Sequence, residues 1–332
     1  MRLFLIVNLG MTKNPLGFVV VIEQGKLEDH VLLLVESLRL FAGQYKDSPI
    51  WVVQPRMGLG ISSKTREALD RFGVKFISSN LNQKMRDYPF ANTPYAASFV
   101  ESLSRGLVST LVYLDSDILC CGPPTELDIG DPIKLAIRPV DRVNIGIRKG
   151  ISLPDYWKKV FSICNVDESK YWYVKTVSDQ QMILAYFNNG VTAANPAYYI
   201  FENWKLNMEK VFEELHLSEL PKTDFRVHYL DQVVLAATIL ANLQMQEVDL
   251  LDIRYNYPLT EHYYLIKKNG NSPLRESIFI HYHWIFDQNF FIKELDINPI
   301  VKQWVFSKIP VSRNLKATYL MFVTKLYGKL LF

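Results

Sequence analysis

The sequence predicts an α/β fold in which a parallel sheet carries helices on both of its faces. In the first half of the chain, short runs of β-branched and apolar residues alternate with longer segments whose apolar residues recur at helical spacing. The first unit has a strand at 17–24, a helix at 28–45 and a strand at 49–55. Because right-handed crossovers join parallel strands, repeats of this unit build a parallel sheet covered on both faces.

The next elements continue the alternation. We predict a second helix at 63–73, closed by Gly73, and a third strand in the run VKFIS. A helix at 94–106 then leads into the apolar run STLVYLD, which ends at Asp115. The composition agrees with a folded domain, since 49% of the 332 residues are hydrophobic and 21% are charged.

Cysteine usage and charge exclude several classes of protein. The three cysteines provide neither a disulfide framework nor a zinc-ligand spacing, so we expect a reducing, cytoplasmic compartment. The apolar run before Asn8 is too short for a signal peptide or a membrane span. The net charge of +3 comes with no basic and aromatic pattern that would indicate a nucleic-acid partner.

The last part of the chain, 301–332, is predicted to be a basic and apolar helical extension. It holds six of the 37 basic residues and none of the 34 acidic ones. After Pro310, one stripe at helical spacing contains Leu315, Tyr319, Phe322, Leu326 and Leu330. Two interpretations remain open: a helix docked on the main domain, or an interfacial helix that binds an anionic membrane surface.

Two aspartates, Asp115 and Asp117, stand at the end of the fourth predicted strand. Burying an unpaired carboxylate costs several kcal/mol, so this pair needs a cation, a proton or solvent. Ligands of open α/β sheets bind beyond the carboxyl ends of the strands. Because alternate residues of an extended segment point to the same side, both carboxylates can face one hard cation.

Two classes of enzyme share this local pattern. One is a phosphatase of the haloacid-dehalogenase type, in which Asp115 would be the nucleophile. The other is a metal-dependent glycosyltransferase. The phosphatase motif normally lies on the first strand, whereas three predicted strands precede Asp115 here, and the downstream run GDPIKLAI lacks the second aspartate of that class. These differences favour glycosyl transfer.

Five motifs in order resemble those of the glycogenin-like and lipopolysaccharide-galactosyltransferase-like enzymes. They are LVYLDSDIL at 111–119, YFNNGV at 186–191, YLDQVVL at 229–235, RYNYP at 254–258 and IFIHYHW at 278–284. The resemblance implies the GT-A fold, a Rossmann-like nucleotide-diphosphosugar fold with a mainly parallel central sheet. It also implies transfer of a hexose from a UDP-sugar to an acceptor hydroxyl with the help of Mn²⁺ or Mg²⁺.

The same resemblance implies an organisation and a set of partners. Residues 1–300 would form the GT-A domain, with about 1–125 as the nucleotide-binding half and 126–300 as the acceptor and metal half. The expected partners are a nucleotide-sugar donor and a carbohydrate or lipid-linked acceptor, with peripheral membrane contact through 311–332 as the second interpretation of the extension. A protein that binds nucleotide sugars without catalysis is a further alternative.

For the metal site, the resemblance assigns a role to each aspartate and to a late histidine. Asp115 would contact the donor ribose and the metal, and Asp117 would bind the metal that bridges the two phosphates. The histidine falls on His281, with His283 as the alternative, because residues two apart on a strand share a face.

Three further positions are predicted to bind the donor within the run YFNNGV. Gly190 permits close approach of the backbone to a ligand, while the amides of Asn188 and Asn189 can bond to sugar hydroxyls. The alternative is an asparagine-glycine turn between two strands.

We predict that Asn189, Asp231 and Gln232 are catalytic residues. The resemblance places Asp231 and Gln232 against the donor sugar or the acceptor hydroxyl. The alternative for Asp231 is a helix N-cap.

The chain departs from the family pattern after the late histidine. Where the family has a glycine and a Lys-Pro-Trp triplet that clamps the diphosphate, this chain reads HYHWIFDQNFFIKEL. We therefore expect the positive charge for the diphosphate to come from Lys84 and Arg86, or from Arg105. The alternative for each of them is an ordinary solvated side chain.

Overall fold

The computed structural model describes residues 14–311 except 57, 59, 222–223, 271–272 and 288–294. The strands in these residues are β1 Asn14–Val21, β2 Ile50–Gln54, β3 Lys75–Ser78, β4 Val108–Leu114, β5 Ile118–Cys120, β6 Leu135–Pro139, β7 Tyr173–Lys175, β8 Met182–Leu184, β9 Phe187–Ala194, β10 Val248–Leu250, β11 Tyr257–Pro258 and β12 Phe279–His281. The helices are α1 Lys26–Phe41, α2 Ser63–Arg71, α3 Asn92–Ser104, α4 Asp155–Ile163, α5 Ile200–Glu214, α6 Phe225–His228, α7 Leu230–Asn242, α8 His262–Asn269 and α9 Pro299–Phe306.

The central sheet has the strand order β10-β6-β9-β4-β1-β2-β3 within the described residues. Neighbouring strands are parallel except at β9, which runs antiparallel to both β4 and β6. The predicted mainly parallel α/β sheet is thus confirmed. The predicted elements of the first half are also present, with ends that differ by a few residues; α1, for example, ends at Phe41, shortly before Gly43 at φ 60°.

Helices cover both faces of this sheet because successive residues of each strand point to opposite sides. On β1, Val19 and Val21 belong to the apolar core that includes α3, α5 and α7. Phe18 and Val20 belong to the core on the other face, which includes α1. Near-continuous apolar runs in β1 and β4 are therefore explained by burial on two faces.

A small sheet, β11-β12-β5, lies beside the carboxyl end of β4. The chain leaves β4 at Leu114 and enters β5 at Ile118, so Asp115 and Asp117 occupy the short connection between the two sheets. Strand β12 pairs antiparallel with β5, with His281 opposite Ile118. This pairing carries residues from the far end of the sequence to the two aspartates.

The beginning of the C-terminal extension packs on α1. In α9, the indole ring of Trp304 packs edge-on against Phe41 at 5.3 Å. Beyond the helix, Lys308 Nζ lies 2.7 Å from Glu36. The predicted stripe after Pro310 lies outside the described residues, and the proposed boundary at residue 300 stays a prediction. No helix in the described residues has the length and apolar character needed to cross a membrane.

Candidate active site

A cavity of about 380 Å³ opens at the carboxyl ends of β1 and β4. Its volume falls in the range of about 300–1,000 Å³ that is typical of small-molecule sites. The predicted residues that line it are Asp115, Asp117, Asn188, Asn189, Asp231, Gln232, His281 and His283. Four sequence-distant motifs therefore meet in one place, as expected for the carboxyl edge of an α/β sheet.

One side of the cavity, the histidine wall, consists of Asp115, Asp117, His281 and His283. His281 Nε2 lies 3.1 Å from Asp117 Oδ1 and 3.9 Å from Asp115 Oδ2. His283 Nδ1 lies 3.5 Å from Asp117 Oδ2. Ligand atoms of Asp117 and of both histidines lie within 4.8 Å of one another, which is the spacing of a metal-ligand set.

Charge in the histidine wall is balanced between the carboxylates and the imidazoles. Burial raises the pKa of Asp117, but His281 and His283 outweigh this effect and hold the pKa well below its ordinary value. Burial lowers the pKa of His281, but Asp117 outweighs it and raises the pKa above its ordinary value. The wall thus holds Asp117 as an ionised carboxylate, with Asp115 beside it.

The two histidines reach this wall by different routes. His281 is the last residue of β12, whereas His283 lies in the following turn with φ 51°. The prediction that His281 and His283 lie on one face of the same strand is therefore wrong, because His283 lies beyond the end of β12. Both imidazoles nevertheless approach Asp117, and their ring centroids are 3.8 Å apart.

Gly190 and Asn188 lie within β9, not in a turn between strands. The register against β6 shifts between Ile137 and Arg138, so this part of β9 forms a bulge. A Cβ added at Gly190 would lie 3.0 Å from both Asp115 Oδ2 and His281 Cε1. Glycine is needed here because the histidine wall packs directly on the strand backbone.

Asn256 connects the bulge to the histidine wall, and the sequence assigned it no role. Its side-chain N–H donates to Asn188 Oδ1 at 3.0 Å, and its Oδ1 contacts His281 Nδ1 at 3.1 Å. Because Oδ1 only accepts, Nδ1 carries the proton and Nε2 faces the aspartates. Asn256 is the asparagine of the motif RYNYP, so its place in that motif was the sequence feature that could have identified it.

The opposite side of the cavity, the amide wall, consists of Asn189, Asp231 and Gln232. Asn189 Nδ2 donates to Asp231 Oδ2 at 3.0 Å, and Gln232 Oε1 accepts from the Tyr186 hydroxyl at 3.0 Å. Asp231 lies in the first turn of α7 and does not cap it, because Tyr229 holds the N-cap position. Burial raises the pKa of Asp231 to about 7.

Three aromatic side chains line the cavity near the amide wall, and no sequence motif predicted them. Phe90 is 46% exposed, and its ring meets that of His228 edge-on at 5.8 Å. The ring of Tyr229 lies 4.7 Å from that of His228. Flat aromatic rings such as those of Phe90 and Tyr229 provide a surface on which a sugar ring can pack.

The predicted cations lie outside this cavity. Lys84 is 63% exposed and pairs with Glu209 at 3.0 Å, and Arg105 pairs with Glu202 at 2.8 Å. Arg86 lines a neighbouring cavity of about 480 Å³. Among the described residues, no lysine or arginine lines the cavity between the two walls.

The neighbouring cavity is joined to the first through Glu23, which lines both. Glu23 follows β1 and accepts two hydrogen bonds of 2.6 Å from the Arg56 guanidinium. It also accepts one of 3.1 Å from Asn92 at the start of α3. The two cavities therefore lie next to each other, with Glu23 in the lining of both.

Comparisons with known proteins agree with this fold. A family model described as a Rhodobacterales glycosyltransferase domain matches residues 18–242. The solved galactosyltransferase LgtC, in complex with donor and acceptor sugar analogues, has a TM-score of 0.51 at 15% identity, covering 88% of this chain and 96% of LgtC. The bifunctional enzyme WbbM has a TM-score of 0.51 at 14% identity, and the match covers 90% of this chain but 52% of WbbM. A comparison with curated proteins gives no match.

Proposed function

Because the chain belongs to the Rhodobacterales glycosyltransferase family and has the GT-A fold, we propose that it transfers a hexose from a UDP-sugar to an acceptor hydroxyl with a divalent metal. Family membership makes it a transferase. The phosphatase alternative and the non-catalytic alternative are therefore wrong. The observation that carries the proposal is the convergence of the histidine wall and the amide wall on one cavity.

The histidine wall fits a divalent metal. Asp117, His281 and His283 would hold the ion, with Asp115 beside them. Two imidazole donors favour Mn²⁺ over Mg²⁺, since Mg²⁺ takes oxygen ligands almost exclusively. When bound, such an ion stabilises the negative charge that develops on the departing diphosphate.

The nucleoside of the donor would lie in the neighbouring cavity, beyond the ends of β1 and β2. In this cavity the Glu23 carboxylate is a hydrogen-bond acceptor and the Arg56 guanidinium is a donor. Arg86 adds positive charge to the lining of the same cavity. This arrangement supports a donor-binding role for Arg86. It does not support one for Lys84, whose ammonium group is engaged by Glu209 on another surface.

The amide wall would bind the transferred hexose. Asn189 is held by Asp231, and Gln232 is held by Tyr186, so their polar groups have fixed directions before the donor arrives. Asp231 can exchange hydrogen bonds with sugar hydroxyls as donor or acceptor, because its pKa of about 7 permits both protonation states. The rings of Phe90 and Tyr229 support a carbohydrate acceptor that packs against them.

The test is a panel of nucleotide sugars, each incubated with the full chain with and without Mn²⁺. We expect release of free UDP from one UDP-hexose, dependent on Mn²⁺ and faster with a saccharide acceptor. Full turnover of a defined donor in excess chelator would contradict the proposed requirement for a divalent metal. Failure of every donor in the panel to release nucleotide, with folded protein, would contradict the proposed donor class.

A further inference from the structure

A buried polar cluster behind the histidine wall joins α1 to the segment that carries the two histidines. The side chain of Asp287 has no exposed surface and that of His30 is 2% exposed. Asp287 Oδ1 lies 3.2 Å from His30 Nε2, and Asp287 Oδ2 lies 2.6 Å from Lys26 Nζ. His30 Nδ1 lies 3.0 Å from the Tyr282 hydroxyl. None of these four side chains lines the cavity.

Two polar contacts hold the His30 ring in this cluster. His30 Nε2 faces the Asp287 carboxylate at 3.2 Å, and His30 Nδ1 shares a hydrogen bond of 3.0 Å with the Tyr282 hydroxyl. Burial raises the pKa of Asp287, but His30 and Lys26 outweigh it and keep the pKa below its ordinary value. Asp287 is thus a buried anion that needs both partners, and His30 is held firmly between it and Tyr282.

Tyr282 is the point at which this cluster meets the histidine wall. It lies between His281 and His283 in the sequence, and its backbone N–H donates to the Asp117 carbonyl at 3.1 Å. Its ring also stacks on Phe286 at 4.5 Å. His283 has φ 51°, a conformation that non-glycine residues keep only where the surroundings impose it. Tyr282 is therefore fixed through both its backbone and its ring, directly between the two histidines in the sequence.

We propose that His30, supported by Asp287 and Lys26, is a positioning residue for the metal ligands. It holds Tyr282 so that His281 and His283 converge on Asp117 before an ion binds. The inference rests on the proposed metal site and extends it to α1, a helix that supplies no metal ligand. Partners of this kind behind metal ligands change metal affinity when they are removed.

The test measures Mn²⁺ affinity of the full chain by electron paramagnetic resonance of the free ion, with no donor present. We expect His30→Leu to weaken Mn²⁺ binding about tenfold. Tyr282→Phe keeps the ring on Phe286 and removes only the hydroxyl, so we expect a measurable loss that does not exceed about tenfold. Raising Mn²⁺ should then restore kcat in both variants, which a general loss of folded protein would not allow.

The matched control is Ser37→Ala. Ser37 Oγ accepts a hydrogen bond of 3.1 Å from the Cys120 backbone, so this change cuts another contact between α1 and the small sheet. Its Mn²⁺ affinity should equal that of the unchanged protein. An equal loss of affinity in Ser37→Ala would overturn a role specific to His30.

Asp117→Asn separates failure of this inference from failure of the metal site. If Asp117→Asn abolishes Mn²⁺ binding while folded His30→Leu and Tyr282→Phe bind normally, the positioning role is wrong and the metal site stands. If Asp117→Asn binds Mn²⁺ normally, the metal site is wrong and this inference falls with it. Should His30→Leu not fold, the Tyr282→Phe result decides alone.

Discussion

Asp117 of the histidine wall and Asp231 of the amide wall differ in their neighbours. Asp117 faces two imidazoles at 3.1 and 3.5 Å, and its pKa lies well below the ordinary value. Asp231 faces the neutral amide of Asn189, and burial raises its pKa to about 7. One residue type thus supplies a permanent anion at one wall and a carboxyl group that exchanges its proton near neutral pH at the other.

The difference suits the two halves of the proposed donor. A cation beside a diphosphate needs fixed negative charge among its ligands, which the histidine wall provides. A neutral hexose needs hydrogen-bond donors and acceptors without a strong field, which the amide wall provides. Substitutions at each wall should therefore have different signatures.

The largest effect is expected at the histidine wall. Asp117→Asn removes the anion that would bind the metal, so we expect kcat to fall at least about hundredfold, the range seen when an electrostatic stabiliser is lost. The measurement is the rate of UDP release at saturating Mn²⁺. The control is Asp155→Asn, since that carboxylate is 91% exposed and lies outside the cavity. If Asp117→Asn releases UDP at a rate within a few-fold of the unchanged enzyme, the proposed difference in role between the two walls is wrong.

The next effect tests the amide wall through stability. The pKa of Asp231 rises on folding from 3.8 to about 7, so between these values the folded state keeps a proton that the unfolded state has lost. Stability is therefore greatest below this window and falls as the pH rises through it. Asp231→Asn abolishes this loss, so its free energy of unfolding relative to the unchanged protein should be about 3 kcal/mol more favourable at pH 8 than at pH 5.

Urea unfolding of both proteins without metal measures this difference. The comparison at pH 5 serves as the internal control, because Asp231 is then protonated in the folded state. If Asp231→Asn changes the free energy of unfolding equally at pH 5 and pH 8, then Asp231 is ionised at both pH values, as Asp117 is. The proposed contrast between the two walls would then be wrong.

A smaller effect is expected where the two walls share the β9 backbone. Gly190→Ala places a methyl group 3.0 Å from Asp115 Oδ2 and His281 Cε1, so both side chains must move by a few tenths of an ångström. We expect about tenfold lower kcat, since such displacements misalign reacting groups. The Mn²⁺ affinity should fall as well, while the pH dependence due to Asp231 stays unchanged.

Gly130→Ala is the control for this substitution. An added Cβ at Gly130 meets nothing within 4 Å, so its rate should match that of the unchanged enzyme. If Gly190→Ala retains full activity and metal affinity, the histidine wall is more adaptable than its packing on β9 indicates.

Local sequence patterns were enough to predict much of the fold of this protein. The alternation of apolar strands and amphipathic helices is a short-range property, and it predicted the sheet and the helices of the first half. The position of Asp115 and Asp117 after an apolar strand also follows from neighbouring residues alone. Their place at the carboxyl edge then follows from the general geometry of parallel sheets.

Tertiary structure alone decided which distant residues complete the site. The pairing of β12 with β5 brings His281 to Asp117, and no local pattern distinguishes His281 from His283. Packing also brought Asn256 to His281 and His30 to Tyr282, and it placed Lys84 on another surface. Contacts between residues far apart in sequence depend on how the elements pack, whereas periodicity reports only which side of each element is buried.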